Sequence, residues 1–113
     1  MKPNPLRAQE RAFQKLRRAL SQTGPISQGS VQDRTDRRGG GAGYQWTRKV
    51  AQKTVTVALT KEQFAHMKEA VINHRQLRRQ LQEMERISRR IIFATSPHQG
   101  RRKRLNRKVL GLI

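Results

Sequence analysis

The stretch Lys53-Thr-Val-Thr-Val-Ala-Leu-Thr60-Lys-Glu-Gln63 joins two structural regimes. Val55, Val57 and Leu59 point to one side and Thr54, Thr56 and Ala58 to the other, the period-two alternation of a half-buried strand. At Thr60 the period changes. Gln63 follows three residues later, a capping-box spacing in which each side chain can satisfy an orphan amide at a helix N-terminus. Beyond it, Met67, Ala70, His74, Leu77, Leu81, Met84, Ser88 and Ile91 recur three and four apart, a heptad seam with two polar members, widened by Phe64, Val71 and Ile92. The spacing predicts one helix from Thr60 to about Thr95, near 50 Å long at about 1.5 Å per residue. A three-stranded sheet cannot cover that length, so the remainder calls for another helix: one within the chain, or a second copy paired along the seam.

Upstream of this stretch, Gly43 to Val50 alternates with Tyr44, Trp46 and Val50 on one face and Gln45, Thr47 and Lys49 on the other, with Arg48 interrupting the apolar face. Ala51-Gln52 has to make the turn into the Lys53 strand, although tight hairpins favour Asn-Gly or Asp-Gly. A third strand is expected from about Gly29 to Arg34, linked to the next by the glycine-rich Asp36–Gly43. Before it, Leu6, Phe13, Leu16 and Leu20 form a helical stripe with Ala12 and Ala19 beside them, predicting a helix from Pro5 to about Gln22. The rest of that helix is basic: Arg7, Arg11, Lys15, Arg17 and Arg18 against Glu10. Thr23-Gly24-Pro25 ends it. The fold class is therefore α+β: an N-terminal helix, a three-stranded antiparallel β-meander, and a long C-terminal helix with a basic tail. The division expected is a basic amphipathic helix over 1–23, a small α+β domain over 24–96 and the tail over 97–113.

The 113 residues include 26 Lys and Arg against 7 Asp and Glu, a net charge of +19, which demands a polyanionic partner. Arg predominates among the cations, and its planar donor fork matches phosphate oxygens. With 34% hydrophobic residues the core is thin. No cysteine is present, which removes disulfides, Cys-based zinc sites and thiol nucleophiles, and fits a reducing, cytoplasmic setting. The opening residues lack the apolar run of a signal peptide, and no 18 apolar residues are consecutive, so no membrane partner is expected.

Nucleic acid, DNA or RNA, is the expected partner. On the long helix, Lys61, Lys68, Arg75 and Arg89 share one heptad position and Arg79 and Arg86 an adjacent one, opposite the apolar seam. From Lys68 to Arg89 the stripe spans about 30 Å, close to a turn of duplex DNA. A solvated charged face is the plainer alternative, but the helix carries far more bases than acids. Arg37 and Arg38 beside Gly39–Gly41 set two guanidinium groups next to unhindered amides able to approach phosphates; a plain hairpin loop is the competing reading. The loop is no nucleotide-binding P-loop, lacking the Gly-Lys-Ser/Thr ending. Arg17, Arg18, Arg48, Lys49 and Lys53 add to the basic surface. Tyr44 and Trp46, two apart on one strand, suit either core packing or stacking on unpaired bases. Arg101, Arg102, Lys103, Arg104, Arg107 and Lys108 read as an arm trailing along nucleic acid, closed by an apolar knot of Val109, Leu110, Leu112 and Ile113 able to dock on the body or a partner; a membrane-surface role is the competing reading, and the spread of charge over the whole chain favours nucleic acid.

Catalysis, metals and cofactors have no comparable signature. Glu62, His66 and His74 do not form the His-Glu-x-x-His pattern. Asp33 and Asp36 are each followed by Arg, which competes with a metal ion.

The order of elements resembles a family of short bacterial proteins of unknown function that occur near mobile-element genes. The resemblance lies in Gly29-Ser30 opening the first strand, Arg34, Gly43-Tyr44 opening the second, and Lys53-Thr54-Val55-Thr56 before the long helix, over roughly residues 25 to 93. Members usually carry a cysteine-rich stretch between the first two strands, where this chain has Arg37-Arg38-Gly-Gly-Gly. The resemblance implies a common α+β core and no catalytic residue. The function expected is thus that of a nucleic-acid-binding accessory or architectural protein, associated through the resemblance with a mobile element. The alternatives are a structural protein of an RNA–protein particle, ribosomal or guide-RNA, and a coiled-coil interaction module. Phosphate contacts carry no base identity, so the reading covers DNA and RNA alike.

Overall fold

The computed structural model describes residues 5–34, 43–96 and 105–113. Its elements are helix α1 (Pro5–Leu20), strands β1 (Ser30–Asp33), β2 (Tyr44–Val50) and β3 (Lys53–Leu59), and helix α2 (Lys61–Thr95). The architecture is α+β. The chain divides into two compact units, one of Met1–Gln22 with Arg78–Ile113, the other of Thr23–Leu77, so the boundary falls inside α2.

In the unit Thr23–Leu77 the strands form an antiparallel meander of order β1-β2-β3. Trp46 stands opposite Val31 on one side and Val57 on the other, and Arg48 opposite Val55. One face of the sheet therefore gathers Val31, Tyr44, Trp46, Arg48, Val50, Val55, Val57 and Leu59, with Asp33 at its Tyr44–Leu59 end and Lys53 at the hairpin tip. The other is polar, with the Thr47 and Thr56 hydroxyls 3.3 Å apart across the strands. The hairpin turn is indeed Ala51-Gln52, with φ of 49° and 68°. Positive φ at both central residues is the signature of the type I′ turn, whose twist matches that of the flanking strands. The turn forms without the glycine that usually enables it.

Gly29 explains how β1 begins. Its φ is +110°, and a Cβ there would lie 2.5 Å from Trp46 Nε1 and 2.6 Å from the Thr47 carbonyl oxygen. The indole N–H donates to the Gln28 carbonyl at 2.9 Å, so a residue without a side chain lets the chain close over Trp46. The capping box at α2 is reciprocal: the Thr60 amide donates to Gln63 Oε1 at 2.9 Å and the Gln63 amide to Thr60 Oγ1 at 3.1 Å. The first turn of α2 then meets the sheet, with the rings of Phe64 and Tyr44 4.6 Å apart between centroids. The segment before β1 runs along α2. The Ser27 amide donates to the Ala70 carbonyl at 3.1 Å, and Asn73 Nδ2 to the Pro25 carbonyl at 3.0 Å. Ala70, beside this segment, and Val71 are buried.

In the other unit, α1 turns its half-buried Leu6, Phe13, Leu16 and Leu20 away from Arg7, Arg11 and Arg18. Its last turn closes with the Ser21 amide and hydroxyl both donating to the Arg18 carbonyl, at 3.2 and 2.7 Å. The apolar seam of α2 departs from its heptad course here. Leu81 is 43% exposed, whereas Ile87, which the heptad count passes over for Ser88, is only 2% exposed. At about 100° per residue Ile87 lies well round the helix from Leu81, so in this unit α2 buries a different strip, Gln80, Met84, Ile87 and Ile91, from the one the heptad count names. Among the described residues only Ala70, Val71 and Ile87 are buried apolar side chains.

Of the expected arm, residues 105–113 are described, and they meet α2. Residues 107–111 form turns closed by the Leu112 amide donating to the Arg107 carbonyl at 2.9 Å and by the Val109 amide donating to Asn106 Oδ1 at 2.8 Å. Arg90 Nε donates to the Leu112 carbonyl at 2.8 Å, and Leu110 and Leu112 line a hollow with Phe93 and Ala94 of α2. Gly111, at φ +73°, passes so close to Arg89 that a Cβ would lie 2.7 Å from its Cδ. Leu110 and Leu112 of the apolar knot thus pack on α2 of their own chain, while Val109 and Ile113 stay exposed.

Candidate nucleic-acid interface

The amphipathic geometry of α1 concentrates its cations. Arg7, Arg11 and Arg18 fall at i, i+4 and i+11, and with Glu10 and Gln14 they line a shallow hollow of about 840 Å³. Eleven residues of helix place Arg7 and Arg18 about 16 Å apart along the axis. This ridge faces opposite to the Leu6, Phe13, Leu16 and Leu20 stripe. Arg18 was expected to contact nucleic acid; Arg7 and Arg11 were not, although counting cations at helical spacing, as is done for apolar residues, picks them out. Arg17 is exposed but lies off the ridge, at the margin of the apolar stripe.

A second basic group stands on the β2–β3 hairpin. Arg48, Lys49 and Lys53 are all exposed, and no acidic residue occurs from Gly43 to Leu59. Arg48, which interrupts the apolar alternation of β2, lays its guanidinium carbon 5.0 Å from the centroid of the Trp46 ring. That is a cation–π stack, and it lets a charged residue occupy the apolar face without being buried. Tyr44 and Trp46 therefore part company. Tyr44 packs on Phe64, while Trp46 is held at its edge by Gln28 and carries Arg48 on its face.

Along α2, Lys61, Lys68 and Arg75 are exposed in the unit that holds the sheet, and Arg78 and Arg79 are exposed in the other. Arg86 and Arg89 depart from the expected free stripe. Arg86 pairs with Glu83, and its Nε is shielded from solvent without a hydrogen-bond partner. Arg89 pairs with Glu85 at 3.6 Å and donates to the Gly111 carbonyl at 3.4 Å. The docked C-terminal turn brings Arg89 into the protein's own contacts. Arg107 and Lys108 lie in that turn, both exposed, with Arg107 also lining the hollow beside Arg90. Arg37, Arg38 and Arg101–Arg104 lie outside the described residues.

Among the described residues, no three His, Cys, Asp or Glu side chains gather as a metal site. None of the described helices is long and apolar enough to cross a membrane. In comparisons with known proteins, the chain matches no family model, no curated protein and no solved structure.

Proposed function

We propose that the chain binds nucleic acid through its phosphates, as a non-enzymatic accessory or architectural component. The observation that carries this reading is a net charge of +19 on 113 residues, with exposed cations among the described residues of each unit. Electrostatic repulsion among so many like charges disfavours the compact state, and a polyanion relieves it. The α1 ridge, the hairpin cations and the Lys61–Lys68–Arg75 row can each neutralise phosphates and release condensed counterions. Log affinity should therefore fall linearly with log salt, with a slope of about −5 or steeper on duplex DNA, corresponding to about six contacts. Replacing Arg7, Arg11 and Arg18 by Gln should reduce that slope by about two to three while leaving the melting temperature unchanged. A parent slope near one or two refutes the reading.

A second reading, a structural protein of an RNA–protein particle, is favoured by the scarcity of buried side chains. Ile26, Val50, Leu81 and Ile92 are each 40% or more exposed, as on a chain that completes its packing against a larger assembly.

A further inference from the structure

The apolar face of the sheet is only partly covered. At its Tyr44–Leu59 end it receives Phe64, but toward the hairpin tip Val50, Val55 and Val57 remain 38–40% exposed. Trp46 and Arg48 lie among these valines, since Val57 is the cross-strand partner of Trp46 and Val55 that of Arg48. The patch thus combines a half-buried indole, a guanidinium stacked on it, and a floor of β-branched side chains. Lys53, on the same face, and Lys49, on the other, stand at its tip.

We infer that this face binds an unpaired nucleic-acid strand by base stacking. The inference rests on the nucleic-acid reading above and narrows it. The occupant follows from charge and shape together. An apolar floor alone would suit another protein, and cations alone would suit any polyanion. An apolar floor carrying an Arg–Trp stack and rimmed by cations, with no acid on the hairpin, matches a ligand that presents flat π-faces and phosphates at once. A second copy of the chain would bring like charge to like charge. Duplex nucleic acid hides its base faces and offers the patch only phosphates. In the bound state a base stacks on the outer face of the Arg48 guanidinium or displaces it from the indole, while its neighbour lies on Val55 and Val57. The Lys53 ammonium takes the intervening phosphate. Trp46 itself stays anchored through its N–H to Gln28, so the platform is in place before the strand arrives.

Trp46 is the chain's one tryptophan, so its fluorescence reports this patch alone. The full chain is titrated with a 12-nucleotide oligothymidylate, a 12-base-pair duplex and inorganic polyphosphate, with fluorescence anisotropy of labelled probes as the independent measure of binding. The expected result is saturable quenching of Trp46 by the single strand, with little change on adding duplex or polyphosphate. Val57→Asp, at a position 40% exposed and with its fold checked against the parent by circular dichroism, should weaken single-strand binding about tenfold, matching the loss of roughly one stacked base, and affect duplex binding much less. Binding of the single strand by anisotropy without quenching, or equal quenching by polyphosphate, overturns the stacking site and leaves the phosphate reading standing. Equal losses of single-strand and duplex affinity in Val57→Asp also overturn it. Absence of binding to all three probes removes both readings.

Discussion

Replacing the hairpin turn by Ala51→Asn together with Gln52→Gly is expected to stabilise the protein. Both residues hold positive φ, 49° and 68°, between the paired ends Val50 and Lys53, and both are exposed. An L-residue with a Cβ pays roughly 1–2 kcal/mol in the left-handed region, so the native turn carries about 2–4 kcal/mol of conformational cost. Glycine at 52 removes its share but returns roughly 0.5–1 kcal/mol through the greater freedom of the unfolded chain. Asparagine at 51 tolerates the left-handed region and removes part of the remainder. The net gain is about 1–2 kcal/mol, or about 4–8 °C in melting temperature for a chain of this size. Thermal melts followed by circular dichroism, with urea titrations to check that the slope is unchanged, measure it directly. Ala51→Val provides the opposite arm, since a β-branched side chain at positive φ should lower the melting temperature. Affinity for polyanions should be unaltered in the Asn-Gly variant because Lys49 and Lys53 keep their places. A double variant that melts at or below the parent, or a valine variant that melts above it, refutes the turn geometry.

Gly29→Ala should cost about 3 kcal/mol, because a methyl group cannot fit between the Trp46 indole and the Thr47 carbonyl at positive φ; urea unfolding followed by Trp46 emission measures the loss. Leu112→Ala should lower stability by about 1–2 kcal/mol, since it removes apolar contact with Phe93 and Ala94 without placing a new charge beside Arg90 and Arg107, and differential scanning calorimetry should show a reduced transition temperature. An unchanged transition would restore the picture of a free C-terminal arm.

Where local chemistry and periodicity agree, the fold is readable in advance. The Lys53–Leu59 alternation, the Thr60–Gln63 box and the stop at Thr23-Gly24-Pro25 each encode their structure within a few residues, and all three strands and both helices lie close to where they are expected. The hairpin turn was placed by elimination, since nothing in Ala-Gln itself favours positive φ; the strand register on either side imposes it. The second half of the α2 seam differs from the heptad reading because which strip of a helix is buried depends on what packs there, and Ile87 rather than Leu81 is withdrawn from water in the unit that holds Arg78–Ile113. The docking of the C-terminus depends on the Leu112 carbonyl meeting Arg90 and on Gly111 clearing Arg89, contacts between segments about 22 residues apart that no local pattern announces. The same limit governs the cations. Their spacing on α1 and α2 is visible in the sequence, but which of them the chain uses for itself, as it does Arg86 and Arg89, emerges only from packing. Arg48 shows the reverse: an apparent flaw in the β2 pattern becomes intelligible once its stack on Trp46 is seen.

The scarcity of buried side chains has a consequence for the life of the molecule. With only Ala70, Val71 and Ile87 fully withdrawn from water among the described apolar residues, the intrinsic margin against unfolding is small. Any ligand of the folded state present at a hundred times its dissociation constant adds about 2.7 kcal/mol to that margin, a sum comparable with the margin itself. Because proteolysis draws on the unfolded population, copies that find a partner would persist and surplus copies would be cleared. Abundance would then follow the supply of binding sites with no dedicated regulator, and pulse-chase half-lives with and without excess partner would measure that coupling.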